Sequence, residues 1–326
     1  MSRVVRSMPT WPVLKARSKI LSAIRWFFES RSVTEVSTPA LSRSGTFDAQ
    51  LSSFQVADEA EALFLQTSPE YALKRALAAY GEAIFEITPA FRRGDQGQRH
   101  NPEFTLLEWY RPGLSLPDLM AEVTSLLNAM PEPPKIWREQ SSVGLPVYSF
   151  LKLFVQRFGI DPNEAPLSTL WQWVQATGAE VTHLVPQDDD QFRSDCLDFL
   201  FLEVVLPTLA EIFYLTEFPR CQAALAEVDA ETGAAQRFEL YWQGVELANG
   251  YLELRDPAVI LSRYTAMATA RVNRGLPRIA FDSAFAEASC QMPACVGVAL
   301  GIDRLVMVWL GQTSLAEVQL FPWPNH

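Results

Sequence analysis

The amino-acid sequence predicts a mixed fold in which helices are interleaved with antiparallel hairpins. Three observations predict it. Residues 84–110 join an apolar run, Ile84 to Ala90, to an alternating one in which Phe104, Leu106, Glu108 and Tyr110 interleave with Thr105, Leu107 and Trp109; the polar loop FRRGDQGQRHNPE lies between them. Phe238 to Leu254, FELYWQGVELANGYLEL, alternates about Gln243-Gly244, a tight-turn pair. Ile20, Leu21, Ile24, Phe27 and Phe28 recur at helical spacing, as do the apolar residues from Leu116 to about Met130.

The totals narrow the classes. A chain of 326 residues with 48% hydrophobic residues, 20 Phe and 9 Trp can bury a large core. A net charge of -11 weighs against a broad polyanion-binding face, which needs several Lys and Arg to neutralise phosphates. No apolar run is long enough to span a bilayer, and Met1 to Thr10 lacks a signal core, so a soluble cytoplasmic protein with no membrane partner is expected. Cys196, Cys221, Cys290 and Cys295 are scattered and read as reduced core thiols. With His100, His183 and His326 as the whole histidine set, a His/Cys zinc site is not expected.

In chain order, a helix is predicted over about 13–30, then a β-prone run Val33 to Ser37 stopped by Thr38-Pro39. Leu51 to Val56 and Ala62 to Gln66 read as strands around the acidic turn Asp58-Glu59. Ser68-Pro69-Glu70 has the make-up of a helix start, with a hydroxyl cap, proline at the first helical position and an acid in the first turn; Gly81 ends that helix. The stretch 113–212 is read as a mainly helical insertion or connection, its part from 135 to 212 packing over the sheet, with Asp188 to Asp190 at a helix N-terminus. Asp256-Pro257 begins a helix reaching about Arg274 and capped by Gly275. Arg263, Arg271, Arg274 and Arg278 form either a solvated face or a contact surface for an acidic partner. Val296 to Leu305, VGVALGIDRL, reads as a strand of small residues turning at Gly301 into a helix that carries Arg304 in its first turn.

The residue types suggest chemistry. Arg92, Arg99, His100 and Asn101 offer donors suited to a phosphate chain, Phe104 a flat face suited to a base, and Glu108 a strand-borne carboxylate suited to an ammonium group. With Gln243-Gly244 as the turn, Tyr241 opposes Glu246 and Glu239 shares their face. Two carboxylates on adjacent strands suit a divalent cation such as Mg²⁺, and a solvated acidic face is the open alternative.

These stretches resemble the class II aminoacyl-tRNA synthetases. Residues 13–39 resemble motif 1, the run from Phe91 to Pro112 motif 2, and VGVALGIDRL motif 3; RHNPEFT followed by a Glu resembles the lysyl branch. TSPEYALKR, HNPEFTLLEWYRP, GVELANG and GVALGIDRLVM resemble its stand-alone paralogues, the family that attaches (R)-β-lysine, or less well lysine, to a lysine of elongation factor P. The resemblance implies a single α+β catalytic domain over 1–326, an antiparallel β-sheet flanked by helices, and a homodimer formed through motif 1. It implies ATP and Mg²⁺ as cofactors, and catalytic roles for Arg92, Glu246 and Arg304. ATP would be held by Arg92, Arg93, Gly94, Arg99, His100, Asn101, Glu239, Glu246, Leu247, Gly301 and Arg304, with adenine between Phe104 and Arg304. The metal would fall to Glu239 and Glu246. Ser68, Pro69, Glu70, Glu108, Tyr110, Asn249, Glu253 and Ala299 would hold the amino acid.

About a dozen residues precede the first helix, so no anticodon-binding domain is expected; with the acidic charge this argues against tRNA as partner and for elongation factor P. The alternatives are a truncated synthetase-like amino-acid:AMP ligase with another acceptor, and a non-catalytic dimeric regulator. Two departures carry expectations. Gly94 stands where motif 2 has Glu, which implies a raised ATP requirement with Asp95 as substitute. Ala299 stands where lysyl-tRNA synthetases have Gly, and its methyl would reshape the floor of the amino-acid pocket.

Overall fold

In a computed structural model, which describes residues 8–46, 51–57, 62–181, 184, 186 and 189–323, the elements run α1 (Trp11–Glu29), β1 (Thr34–Glu35), β2 (Leu41–Ser42), β3 (Gln55–Ala57), β4 (Ala62–Leu65), α2 (Glu70–Tyr80), β5 (Ile84–Phe91), β6 (Glu103–Pro112) and α3 (Leu116–Asn128). There follow α4 (Lys135–Val143), β7 (Val147–Ser149), α5 (Phe150–Phe158), α6 (Leu167–Ala176), α7 (Asp190–Leu200), β8 (Ile212–Pro219), β9 (Ala234–Trp242), β10 (Val245–Leu252), α8 (Pro257–Asn273), α9 (Ser283–Ser289), β11 (Cys295–Gly301) and α10 (Ile302–Trp309).

Among the described residues the main sheet has the order β1-β5-β6-β11-β10-β9-β8-β7. Its central pairs are antiparallel, and only the short edge strands β1 and β7 pair in parallel. Period-two alternation gives the sheet two unlike faces. On the back, Leu107 and Trp109, Phe238, Leu240 and Trp242, and Val296, Val298 and Leu300 join α1, α3 and α10 in one core. Phe28 of α1 stacks on Phe85 at 4.6 Å between ring centroids and tilts against Trp109 at 5.2 Å. On the front, the intervening residues are polar or small, and they line a cavity.

The front is walled at both ends. At one end α2 and the three-stranded sheet β2-β4-β3 stand beside β5 and β6. At the other, α5, α6 and α7 pack a second core onto Phe213, Leu215, Phe218 and Tyr241 of β8 and β9.

Residues 113–212 divide between the two faces of the sheet. Leu119, Val123, Leu126 and Leu127 bind α3 to the back core, α5 to α7 cover the front, and Val147–Ser149 extends the sheet itself. A three-residue strand between helices is too short for an alternation signal. Asp189 caps α7, its side chain accepting from Phe192 N at 2.7 Å, while Asp188, His183 and the Asp58-Glu59 turn lie outside the described residues. Residues 51–54 form no regular element, so that predicted strand shortens to β3. The arginines of α8 are not a solvated face. Arg271 is buried and donates to Leu51 O and Pro277 O, Arg263 donates to Ala224 O and Ala226 O, and Arg274 meets Asp195 at 3.0 Å; Arg278 alone of the four is exposed.

Candidate active site

The front cavity measures about 1180 Å³ and receives side chains from α2, β6, β9, β10, β11 and the start of α10. Every residue that the sequence reading nominated reaches its wall except Arg93 and Gly94. Those two fail for a backbone reason. Gly94 has φ 94°, a left-handed turn that carries the loop outward, and Arg93 is exposed with its N–H bonded to Ser52 O. A Glu at position 94 would be strained in that conformation, whereas Asp95 does line the cavity.

One half is rich in guanidinium. Arg304 leaves the β11–α10 junction and donates to Arg99 O at 3.2 Å and Glu246 O at 3.0 Å, with its second terminal nitrogen 2.7 Å from His100 Nε2. His100 accepts that contact as a neutral ring, since burial and then the Arg304 charge lower its pKa. Arg92 lies with its guanidinium 4.9 Å from the Phe104 ring centre. Asp303, beside Arg304, is buried and anchored by Arg17 at 2.5 Å and by Thr105 N at 2.7 Å, so α1 and β6 fix the root of α10. Asn101 donates to Gln319 from the same loop.

The Glu239 and Glu246 pair depends on a bulge. Tyr241 faces Glu246 in register as expected, but the ladder shifts at Leu247, so Leu247 and Ala248 both enter the back core and Asn249 returns to the front opposite Glu239. Glu239 is held by Arg237 and by Tyr241 Oη at 2.8 Å, and burial pushes its carboxyl up to about 7, with Arg237 opposing and Glu246 adding to the rise. Glu246 has no side-chain partner among the described residues. The described residues contain no group of three or more His, Cys, Asp or Glu set to hold an ion. One open and one engaged carboxylate fit Mg²⁺ only in the manner usual for that ion, with phosphate oxygens and water completing the shell.

The other half is rich in carboxyl groups. Glu108 Oε2 accepts from Ser68 Oγ at 2.9 Å and its Oε1 from Tyr110 Oη at 2.7 Å. Burial, then the Glu70 charge, push Glu108 up to about 8. Ser68 also accepts from Glu70 N, while Pro69 sits at the cap rather than the first helical position, so α2 starts one residue late. Ala299 lies opposite Glu108 in the β6–β11 ladder, its methyl on the same face. Gly297 faces Tyr110, and a Cβ there would collide with both the Tyr110 ring and Glu253 Oε1.

Sequence reasoning missed the buried cations behind these acids. Lys74 is 1% exposed and Arg237 sits among Gln222 O, Asn249 and Glu239. Each reads in sequence as one charged residue in an alternating or helical pattern, with no signal that it faces inward. Asp198 and Glu203 from α7 and the π-turn after it also line the cavity, and only the fold brings them there.

With this geometry, residues 4–325 match the class II tRNA synthetases of the D, K and N group, and the chain belongs to that family of ligases. Within it, the chain is 39% identical over 327 residues to an elongation factor P–(R)-beta-lysine ligase of Mannheimia succiniciproducens, spanning 96% of each chain. Proteins of the same name from Pasteurella multocida (39% identity over 96% of this chain and 95% of that one) and Vibrio cholerae (38% over 98% of both) are similarly related.

Proposed function

We propose that the protein activates (R)-β-lysine, or lysine, with ATP and transfers the aminoacyl group to a lysine side chain of elongation factor P. The observation that carries this reading is one cavity with two opposite halves: Arg92, Arg304 and Phe104 for a nucleotide, and Glu70, Glu108 and Glu253 for an amino acid bearing two ammonium groups. The relatives' shared name supports the acceptor.

The substrate carboxylate attacks the α-phosphorus in line, forming the aminoacyl-adenylate as pyrophosphate leaves. Arg92 and Arg304 neutralise charge developing on the phosphates. Mg²⁺ held by Glu246 and Glu239 would screen the phosphates further. An acceptor amine then attacks the adenylate carbonyl, AMP departs, and an amide forms. Glu108, paired through Ser68 and Tyr110, exchanges its proton for an ammonium group when the diamine binds. A homodimer through α1 and β1 accompanies this reading, with the exposed Trp11 and Trp26 on that helix as candidate contacts.

Mass spectrometry of elongation factor P incubated with the protein, ATP and each lysine isomer tests this. The expected result is a mass increase of one lysyl unit on one lysine, largest with (R)-β-lysine. Labelling only of tRNA or of small amines in parallel reactions would redirect the acceptor. Ala299→Gly tests the pocket floor, with preference moving toward α-lysine; an unchanged preference defeats that role.

A further inference from the structure

The geometry points to Lys74 as the positioning residue of the amino-acid pocket: one buried ammonium that clamps carboxylates from two opposite walls and aims their remaining oxygens at the substrate. Lys74 leaves the inner side of α2, and its Nζ lies 2.7 Å from Glu70 Oε1, one turn earlier on the same helix, and 2.6 Å from Glu253 Oε2, just beyond the end of β10. Lys74 does not itself line the cavity, whereas Glu70 and Glu253 both do. One oxygen of each acid is therefore committed to Lys74, and the other is available. For Glu253 that second oxygen lies over Gly297, where a side chain would displace it. The ring of Phe285, 5.9 Å away, closes the pocket of Lys74 from behind.

Charge gives the clamp its second effect. With all three acids ionised, Glu70, Glu108 and Glu253 against one Lys74 leave two negative charges, which match the two ammonium groups of a lysine isomer. Without Lys74 three acids would crowd one buried pocket, and such a site lowers its charge by taking up protons rather than by binding more cations. Without the clamp, α2 and β10 would also have no shared polar anchor at this point. An uncommitted carboxylate can rotate about its last torsion, and a rotated one loses its ammonium hydrogen bond.

This inference rests on the site taking a diamino acid, and ATP–pyrophosphate exchange separates the two ideas. Wild-type protein, Lys74→Met and the charge-neutral double variant Lys74→Met/Glu253→Gln are assayed with lysine isomers and with norleucine, which lacks the side-chain amine. All are assayed at a temperature where circular dichroism shows the native fold. The double variant removes a buried pair together, so it keeps the test open where the single variant fails to fold. In either variant the KM for the diamino acid rises by about 10- to 100-fold, the weight of a hydrogen bond to a charged group. The KM for ATP stays within about twofold, and the preference for lysine isomers over norleucine collapses. Retained preference, or a parallel rise in both KM values, overturns the positioning role and leaves the activity standing. No exchange by wild-type protein with any lysine isomer overturns both.

Discussion

The two halves of the cavity handle charge in opposite ways. In the nucleotide half the cations are half-buried or exposed, and Arg304 is met by the protein's own Arg99 O, Glu246 O and His100. In the amino-acid half Glu108 and Glu253 are enclosed and need internal partners, Lys74 for Glu253 and the hydroxyls of Ser68 and Tyr110 for Glu108. A half-exposed guanidinium costs little to keep waiting for a ligand, while a buried carboxyl costs folding energy until it is paired. Changes on the nucleotide side should therefore read out in catalysis, and changes on the amino-acid side in stability and catalysis together.

The largest effect that sharpens this contrast is Arg304→Ala. ATP–pyrophosphate exchange should fall by about 100-fold or more with the thermal midpoint nearly unchanged, as expected when one transition-state donor is removed. A large loss of stability would break the contrast. Glu253→Ala should do the reverse, lowering unfolding free energy by about 3 kcal/mol in urea titration, because it strands part of a buried ion pair. Gly297→Ala should destabilise by about 1–3 kcal/mol through overpacking against Tyr110 and Glu253. It should also raise the amino-acid KM while sparing that for ATP.

The pH dependence belongs to the carboxyl half. Glu108 sits near 8 in the folded chain against an ordinary 4.5, so between those values the folded form holds a proton that the unfolded form has released. That contribution to stability is complete below about 4.5 and is lost as pH rises through about 8; Glu239 and Glu253, each pushed up to about 7, act in the same direction. Thermal midpoints of the ligand-free protein should decline from pH 5.5 to 8.5 by about 2 °C or more, and less in Glu108→Gln. Rising stability over that range would contradict the assignment. The smallest effect is expected at the exposed His100, where His100→Ala should change ATP KM by about threefold or less because Arg304 keeps two carbonyl partners.

Much of this division could be read from the sequence, and the reasons are local. Period two put Phe104, Glu108 and Tyr110 on one face of β6, and the Gln243-Gly244 turn placed Tyr241 against Glu246 as the ladder does. The Ser68-Pro69-Glu70 signature located α2 to within a residue. What stayed hidden was non-local. The bulge at Leu247 returns Asn249 to the front, and no periodicity rule reports an extra residue of that kind. Lys74 and Arg237 sit where charged residues usually point to water, and only the assembled walls show that Lys74 meets Glu253 from beyond β10 and that Arg237 is held between Glu239 of its own strand and Asn249 of β10. The arginines of α8 misled in the same way, since their carbonyl and carboxylate partners come from as far away as Leu51 and Asp195.

A structure of the protein with a non-hydrolysable ATP analogue and (R)-β-lysine tests the division most directly. The account predicts the phosphates against Arg92 and Arg304, the adenine beside Phe104, and both ammonium groups of the amino acid among Glu70, Glu108 and Glu253. Ammonium groups held instead at Glu239 and Glu246, or phosphates lodged beside Glu108, would contradict it.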